Sequence, residues 1–322
     1  MTALRLLLNS PLSGANLFFA LGQTDGSFRA AGLDLAYTPG RGAWTAASRL
    51  LQEGFDLAYG DIHALVHLAQ RKPAADLPQA ICALHQHAPT VIAVPRRSAI
   101  RTPAQLRGAR IVGHASDVAL QTFAPFARAA GIDAAAVEVR TSDQTMAELL
   151  RDLLAGRHDA VFGYASTHTA ALATLGLDAD RELYFLHYRD TCPRLYGSAL
   201  MASAPLLRDA AGPLADLVQV LCAKVEQAQR HPELALDALQ TLAPGIDRAI
   251  EARRWAITCR DDMGLATAPG PGWGRFDVPR LAGAIADVAA GCGWDQVPAV
   301  TRIATPGCLV GPEQCTGVTA SP

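Results

Sequence analysis

The chain has 322 residues, half of them hydrophobic and 18% charged, enough to bury a large core and to build two lobes of ordinary domain size. Its formal net charge of -2 provides no broad basic field, which excludes nucleic acid as a partner. No stretch approaches the roughly 20 uninterrupted apolar residues that a bilayer span requires.

The opening residues carry a short apolar run but no basic n-region and no h-region of about 7–15 residues, so they do not read as a secretory signal. Residues 5–8 read instead as a first strand, turned by Asn9, Ser10 and Pro11 and followed by helical composition over 15–21. Residues 32–37 alternate and stop at Pro39-Gly40, a second strand, and 44–53 carry apolar residues at helical spacing. A strand at 55–59, a helix at 62–70 and a strand at 80–84 complete a β-α-β-α-β-α-β order. That order predicts mostly parallel strands with helices on both faces.

Residues 90–94 form a further apolar strand, after which Thr102 can cap a helix with Pro103 at its first position. Strands at 109–112, 137–139 and 160–162 alternate with helices at 117–130 and 146–154, a second set over roughly 95–185. A strand at 199–202 leads into a helical C-terminal third, with helices at 204–211, 213–229, 231–242 and 246–264. The tail 306–322 is rich in Gly, Pro and Thr and reads as a loosely held loop.

Four stretches resemble the solute-binding proteins for aliphatic sulfonates and thiamine-pyrimidine precursors, a family that also holds the pyrimidine-precursor synthases of yeast. Gly26, Phe28, Gly32, Leu33 and Asp34 fit its G-x-F-x-x-x-G-L-D-V start. Leu51, Gly54 and Asp56 are similar to its L-x-x-G-x-x-D segment, one residue shorter between Gly and Asp. Residues 100–113, with Pro103, Leu106, Gly108 and Ile111, resemble I-x-x-P-x-D-L-K-G-K-x-I-G-V. Tyr196-Gly197 followed by His231-Pro232-Glu233 and Ala235 resembles its Y-G strand and H-P-E-x-A helix.

The resemblance implies a type II periplasmic-binding-protein fold: two α/β lobes joined by two crossing strands, near 93–95 and 186–188, that close on a ligand by hinge motion. Lobe 1 would hold 1–93 plus 188–322, and 94–187 would be the inserted lobe 2. It also implies a monomeric periplasmic component of an ABC importer, partnered by a small organic solute and, if exported, by an ABC permease. The solute would be pyrimidine-like, a sulfonate or an aromatic acid. A leader would then be removed or lie upstream of Met1. The alternative is a cytoplasmic enzyme of menaquinone- or thiamine-precursor biosynthesis on the same fold, although the cysteine-rich run of the yeast synthases is absent here.

In open α/β sheets the ligand sits beyond the carboxyl ends of the strands. That rule selects Asn9, Ser10 and Asn16 after the first strand, Arg41, Gly42 and Trp44 after the second, and Asp61 and His63 after the third. In the second lobe it selects His114, Ser116, Asp117 and Tyr164, with Tyr188 beside the second crossing. The Gly40-Arg41-Gly42 loop leaves backbone N–H groups free ahead of a helix, which suits a carboxylate, sulfonate or phosphate; a tight turn with a solvated arginine is the plainer alternative. Asp117 reads as a helix cap or a ligand contact. Trp44 and Tyr164 read as stacking surfaces for a flat ring or as core.

His63 and His67 share a helix face but lack a third ligand, and the seven cysteines lack the paired spacing of a zinc site, so no metal is expected. Cys308 and Cys315 are near enough to close a small loop in an exported chain. There is no Gly-x-Ser-x-Gly, Gly-x-Gly-x-x-Gly or Walker loop, and therefore no catalytic residue and no cofactor is expected.

Overall fold

In a computed structural model that describes residues 1–72, 76–265 and 273–310, ten strands assemble into two five-stranded sheets. The first has the order β2-β1-β3-β10-β4. Its strands β1 (Thr2–Leu7), β2 (Leu33–Thr38) and β3 (Leu57–Asp61) run parallel, while β10 (Ser198–Ala202) runs antiparallel between β3 and β4 (Gln79–Ala83). Every residue of β3 and β10 is buried, because helices cover both faces of the middle of this sheet.

The second sheet has the order β7-β6-β8-β5-β9. In it β6 (Arg110–Gly113), β7 (Glu138–Thr141) and β8 (Ala160–Tyr164) are parallel, and β5 (Thr90–Pro95) is antiparallel to both β8 and β9 (Leu183–His187). All four residues of the edge strand β7 are exposed, and Glu138 and Arg140 on it make it a poor template for further pairing.

Two corrections to the sequence reading concern this sheet. Residues 90–93, assigned to the first lobe, belong to a strand of the second: Val91 pairs with Gly163 and His187, so the chain changes sheets between Ala83 and Thr90. Likewise β9 is a full ladder strand, and the return to the first sheet falls between His187 and Ser198. An apolar run reads the same whether it crosses or pairs, so periodicity could not separate these.

The two connections are bonded to each other. His85 donates its backbone N–H to the Ser198 carbonyl at 2.9 Å, and Gly197 donates to the His85 carbonyl at 3.2 Å. Their approach is so close that a Cβ on Gly197 would lie 2.6 Å from Pro89 Cδ and 2.9 Å from both His85 Cβ and the His87 carbonyl oxygen.

The C-terminal third is helical, with Ala204–Asp209, Ala211–Arg230, Pro232–Leu242 and Arg248–Ile257 close to the expected spans. A wider π-type turn, Thr258–Asp262, follows. The helix Val278–Cys292 was not foreseen, although Asp277 caps it, Pro279 stands in its first turn and Gly293 ends it in the left-handed conformation. It packs against Phe123–Ala129 of the second lobe and Ile62–Arg71 of the first, so it spans both.

The tail is held more firmly than its composition suggested, at least as far as residue 310. Residues 309 and 310 form β12 (Leu309–Val310), parallel to β11 (Phe276–Asp277), and Cys308 is buried. Residues 303–305 bond to the edge of β4, where Ala80 donates to the Ile303 carbonyl and accepts from Thr305. Cys315, the expected partner of Cys308 in a small loop, lies outside the described residues.

Replacing Gly197 by alanine forces the two connections apart. The expected cost is about 1–3 kcal/mol, typical of overpacking, measured as a lower urea midpoint with an unchanged m-value.

Candidate functional site

A cavity of about 570 Å³ lies where the strand-to-helix loops of the two sheets face each other. From the first sheet come Asn9 and Ser10 after β1 and Arg41 and Gly42 after β2; from the second come His114, Ser116 and Asp117 after β6 and Tyr164 at the end of β8. These are eight of the thirteen residues selected by the loop rule. The two lobes come close at Gly42, where a Cβ would stand 3.3 Å from Ser116 Oγ, and Gly42 adopts a φ of +107° that a side chain rarely tolerates. Its N–H is fixed by the Asn9 carbonyl at 2.9 Å, so the Gly-Arg-Gly turn is tied to the end of β1.

The other five residues have structural work. Asn16 is fully buried and braces the turn after β1, accepting from Ser13 N–H at 2.8 Å and reaching Asn9 Oδ1 at 3.4 Å. Trp44 packs edge-on to His67, ring centroids 4.8 Å apart, and Trp294 covers the other side of that imidazole at 4.6 Å. Asp61 caps the helix Ile62–Arg71 through His63 N–H and also accepts from His63 Nδ1, each at 2.9 Å, and the pair is buried. Tyr188 is buried against Phe126, rings stacked at 4.1 Å, and donates to the Ala119 carbonyl at 2.7 Å. None of these five lines the cavity.

Several wall residues escaped the sequence reading. Asp143 and Met146 follow β7, so the same loop rule extended by one strand would have found them. Ser166 and Thr167 continue the loop of Tyr164 into the helix Ala165–Ala173. His85 stands just after β4, in the first connection. Arg254 and Asp262 come from the C-terminal helices, which no strand-end rule addresses.

Arg254 is paired with Glu251, whose carboxylate lies 3.2 Å from Arg254 Nε and accepts from Gly14 N–H at 2.5 Å. One carboxylate thus pairs with the guanidinium and clips the C-terminal helix to the turn after β1. Arg41 is exposed at the loop tip. His114 is tied to the next loop, donating from Nε2 to the Gln144 carbonyl at 2.7 Å.

Burial shifts two of the acidic groups upward. Burial pushes the Asp117 carboxyl up to about 6, although it accepts from Ala119 N–H at 2.8 Å. Burial, reinforced by the neighbouring Asp261 carboxylate, holds Asp262 well above the usual carboxylate range. The Tyr164 hydroxyl is buried without a hydrogen-bond partner in the protein, and burial together with Asp61, Asp117 and Asp262 holds its proton firmly. His85 meets the Tyr59 hydroxyl at 2.8 Å through Nε2, its Nδ1 has no protein partner, and burial lowers its value to about 4. Behind β8, burial also lowers His168 to about 4, while its Nε2 donates to the Phe162 carbonyl at 3.2 Å.

The arrangement therefore offers two arginines, three carboxyl groups, a phenol and several hydroxyl and imidazole groups in a recess shared by two lobes. Among the described residues no group of three His, Cys, Asp or Glu side chains is placed to hold a metal ion, and no helix is long and apolar enough to cross a membrane.

A family model described as NMT1/THI5 like matches residues 16–235. No curated protein matches the chain by sequence. Among solved structures, the alkanesulfonate-binding protein SsuA from Xanthomonas axonopodis pv. citri bound to MOPS superposes with a TM-score of 0.69 at 14% identity, covering 97% of this chain and 99% of that one. The periplasmic aliphatic sulphonate binding protein SsuA from Escherichia coli gives a TM-score of 0.69 at 15% identity, covering 94% and 97%. The CA3427 gene product of Candida albicans, described as exhibiting the generic periplasmic binding protein structural fold, gives 0.62 at 12% identity with 96% of each chain covered. At such identities the likeness establishes the two-lobed α/β fold.

His168 links the second lobe to pH. Folded, it stays neutral down to about 4, whereas unfolded it takes up a proton near 6.5. Its contribution is therefore complete above about 6.5 and is lost as the pH falls toward 4, while Asp117, raised to about 6, works in the opposite sense. The destabilisation caused by His168→Gln is expected to shrink between pH 7 and pH 4.5, read from urea unfolding at each pH.

Proposed function

Because the chain belongs to the NMT1/THI5-like family, whose model matches it over residues 16–235, we propose that it binds a small organic solute between its lobes as the substrate-binding component of an ABC importer. It does not transform that solute. The observation that carries this reading is the cavity itself, bounded by strand-end loops of both sheets and within the roughly 300–1,000 Å³ typical of small-molecule sites. A site shared by two lobes gains contacts only when the lobes approach, which makes occupancy legible to a permease.

The chemistry of the wall supports a solute with one anionic group and a polar ring or chain. Arg254, paired with Glu251, and Arg41 at the loop tip would meet a sulfonate or carboxylate. The Tyr164 hydroxyl and His85 Nδ1, buried without protein partners, would meet ring or chain heteroatoms. A pyrimidine-like molecule, an aliphatic sulfonate and an aromatic acid all fit that description, and Tyr164 supplies a ring face for the flat ones. The two SsuA structures bind or are named for sulfonates, which supports that class. Work in an importer places the protein in the periplasm, delivered there by a leader.

Thermal melting over pyrimidines, sulfonates and aromatic acids tests this directly, since a ligand of the folded state alone must raise Tm. At least one class is expected to raise it, and Ser116→Trp, which fills the gap facing Gly42, is expected to abolish the rise while leaving the unliganded Tm near that of the parent. For an anionic solute, Arg254→Gln is expected to weaken binding by about 10-fold or more, the loss of one charge-assisted hydrogen bond. Turnover of any solute in the panel would instead identify an enzyme.

A further inference from the structure

Three cysteines from distant parts of the chain meet outside the cleft, around Gly274. A Cβ built on Gly274 would lie 3.2 Å from Cys222 Sγ and 3.3 Å from Cys82 Sγ, so both sulfurs sit over the same face of one residue. The two thiols are close enough to shift each other's acidity, Cys222 downward and Cys82 upward. The Gly274 carbonyl fixes the position, accepting from Ala83 N–H at 2.7 Å and facing the Cys308 thiol at 3.7 Å. A side chain on Gly274 would separate the two sulfurs.

Access to them is unequal. A second cavity, of about 660 Å³, is lined by Cys222 together with Gln219, Trp273 and Arg275. Cys82 lies behind it on β4, fully buried, and Cys308 is buried as well. A small molecule entering this cavity meets one sulfur and finds a second directly behind.

We propose that Cys222 and Cys82 form an oxidisable dithiol whose substrate is a low-molecular-weight disulfide admitted by this second cavity. The Cys222 thiolate attacks one sulfur of the disulfide RSSR, forming a mixed disulfide and releasing RS⁻. Cys82 then attacks Cys222 Sγ, its own proton leaving with the second departing RS⁻. Two protein thiols and one RSSR become one protein disulfide and two RSH, two electrons passing from the protein to the small disulfide.

The division of labour follows from surroundings. The neighbouring Cys82 thiol, aided by the positive charge of Arg275, holds Cys222 below the ordinary thiol value and favours the attacking thiolate. The contact with Cys222 and burial push Cys82 well above that value, as suits a thiol that acts only after the mixed disulfide has formed. Burial pushes Cys308 up to about 12, which keeps it a protonated bystander. The bond would join β4 to the helix Ala211–Arg230 and close a loop of roughly 140 residues in the unfolded chain, so the oxidised form should melt higher.

The test is treatment of the full-length protein with oxidised glutathione, followed by non-reducing peptide mapping and melting. The expected product links the Cys82 and Cys222 peptides, weighs two hydrogens less than the reduced protein, melts at higher temperature and reverts with dithiothreitol. Cys82→Ser should stop at a stable glutathione adduct on Cys222, Cys222→Ser should give neither adduct nor cross-link, and Cys308→Ser should behave as the parent. A persistent adduct on Cys222 of the parent, a Cys82–Cys308 bond, or full alkylation of both thiols after treatment would each overturn the proposal. The readout involves no solute of the cleft, so it stands or falls separately from the transport reading.

Discussion

The seam between the two connections is the constraint from which the rest of the architecture follows. His85, Gly197 and Ser198 bond backbone to backbone where the chain leaves the first sheet and where it comes back. Because β5 and β10 each enter their sheet antiparallel to a neighbour, the parallel strands of both lobes end toward the same gap. Backbone polar groups at such a crossing would be costly if left unpaired, and pairing the two connections with each other removes that cost without a third element. The absence of a side chain at Gly197 permits the approach. The seam also carries a side chain into the site, since His85 lies in it and lines the cavity.

The electrostatics of the cleft show the same economy. The recess sets Arg41 and Arg254 beside Asp117, Asp143 and Asp262, and burial raises Asp117 to about 6 and holds Asp262 well above the usual carboxylate range. The Asp61–His63 pair, hidden beneath the end of β3, caps a helix and satisfies much of its own polarity. Asp61 Oδ2 and His63 Nε2 of that pair have no hydrogen-bond partner, and neither do Tyr164 Oη and His85 Nδ1, which belong to residues that line the cavity. A buried polar atom without a partner costs about 1–3 kcal/mol, a cost that a bound polar molecule removes.

Much of this was legible from residues alone, and the failures share a cause. Strand-end loops could be counted from alternation and punctuation, which placed Asn9, Ser10, Arg41, Gly42, His114, Ser116, Asp117 and Tyr164 beside one cavity. The rule locates a loop but not the side of it that a residue faces. Trp44 stands two residues from Gly42, yet one helical turn aims its ring at His67. Asn16 braces the loop it belongs to, and Tyr188 turns away into the second lobe against Phe126 and the Ala119 carbonyl. Arg254 and Asp262 were illegible for a different reason: they reach the cleft from helices packed over both lobes, a tertiary fact that no local pattern encodes. The dithiol was invisible for the same reason, its two sulfurs being far apart in sequence.

Those helices also join the two lobes. Arg248–Ile257 touches the helix Ala165–Ala173 of one lobe and the turn Gly14–Asn16 of the other, so it crosses the gap on one side. Val278–Cys292 crosses it elsewhere, between Phe123–Ala129 and Ile62–Arg71. The two crossings differ in kind. Around Ile257 the buried apolar contacts with the second lobe reduce to a small cluster with Val91 and Ala165. Leu281, Ala284, Ile285 and Val288 instead belong to a continuous core shared with Ile92, Phe126 and Phe162 of the second lobe and Leu65 and Ala69 of the first. The first crossing adds polar contacts to its small apolar cluster, since Arg253 pairs with Asp178 and Asp180 of the second lobe and Glu251 accepts from Gly14 N–H of the first. The C-terminal third therefore ties the lobes on both sides of the cleft, by polar contacts beside Arg254 and by apolar burial along Val278–Cys292, a link that no strand-end pattern encodes.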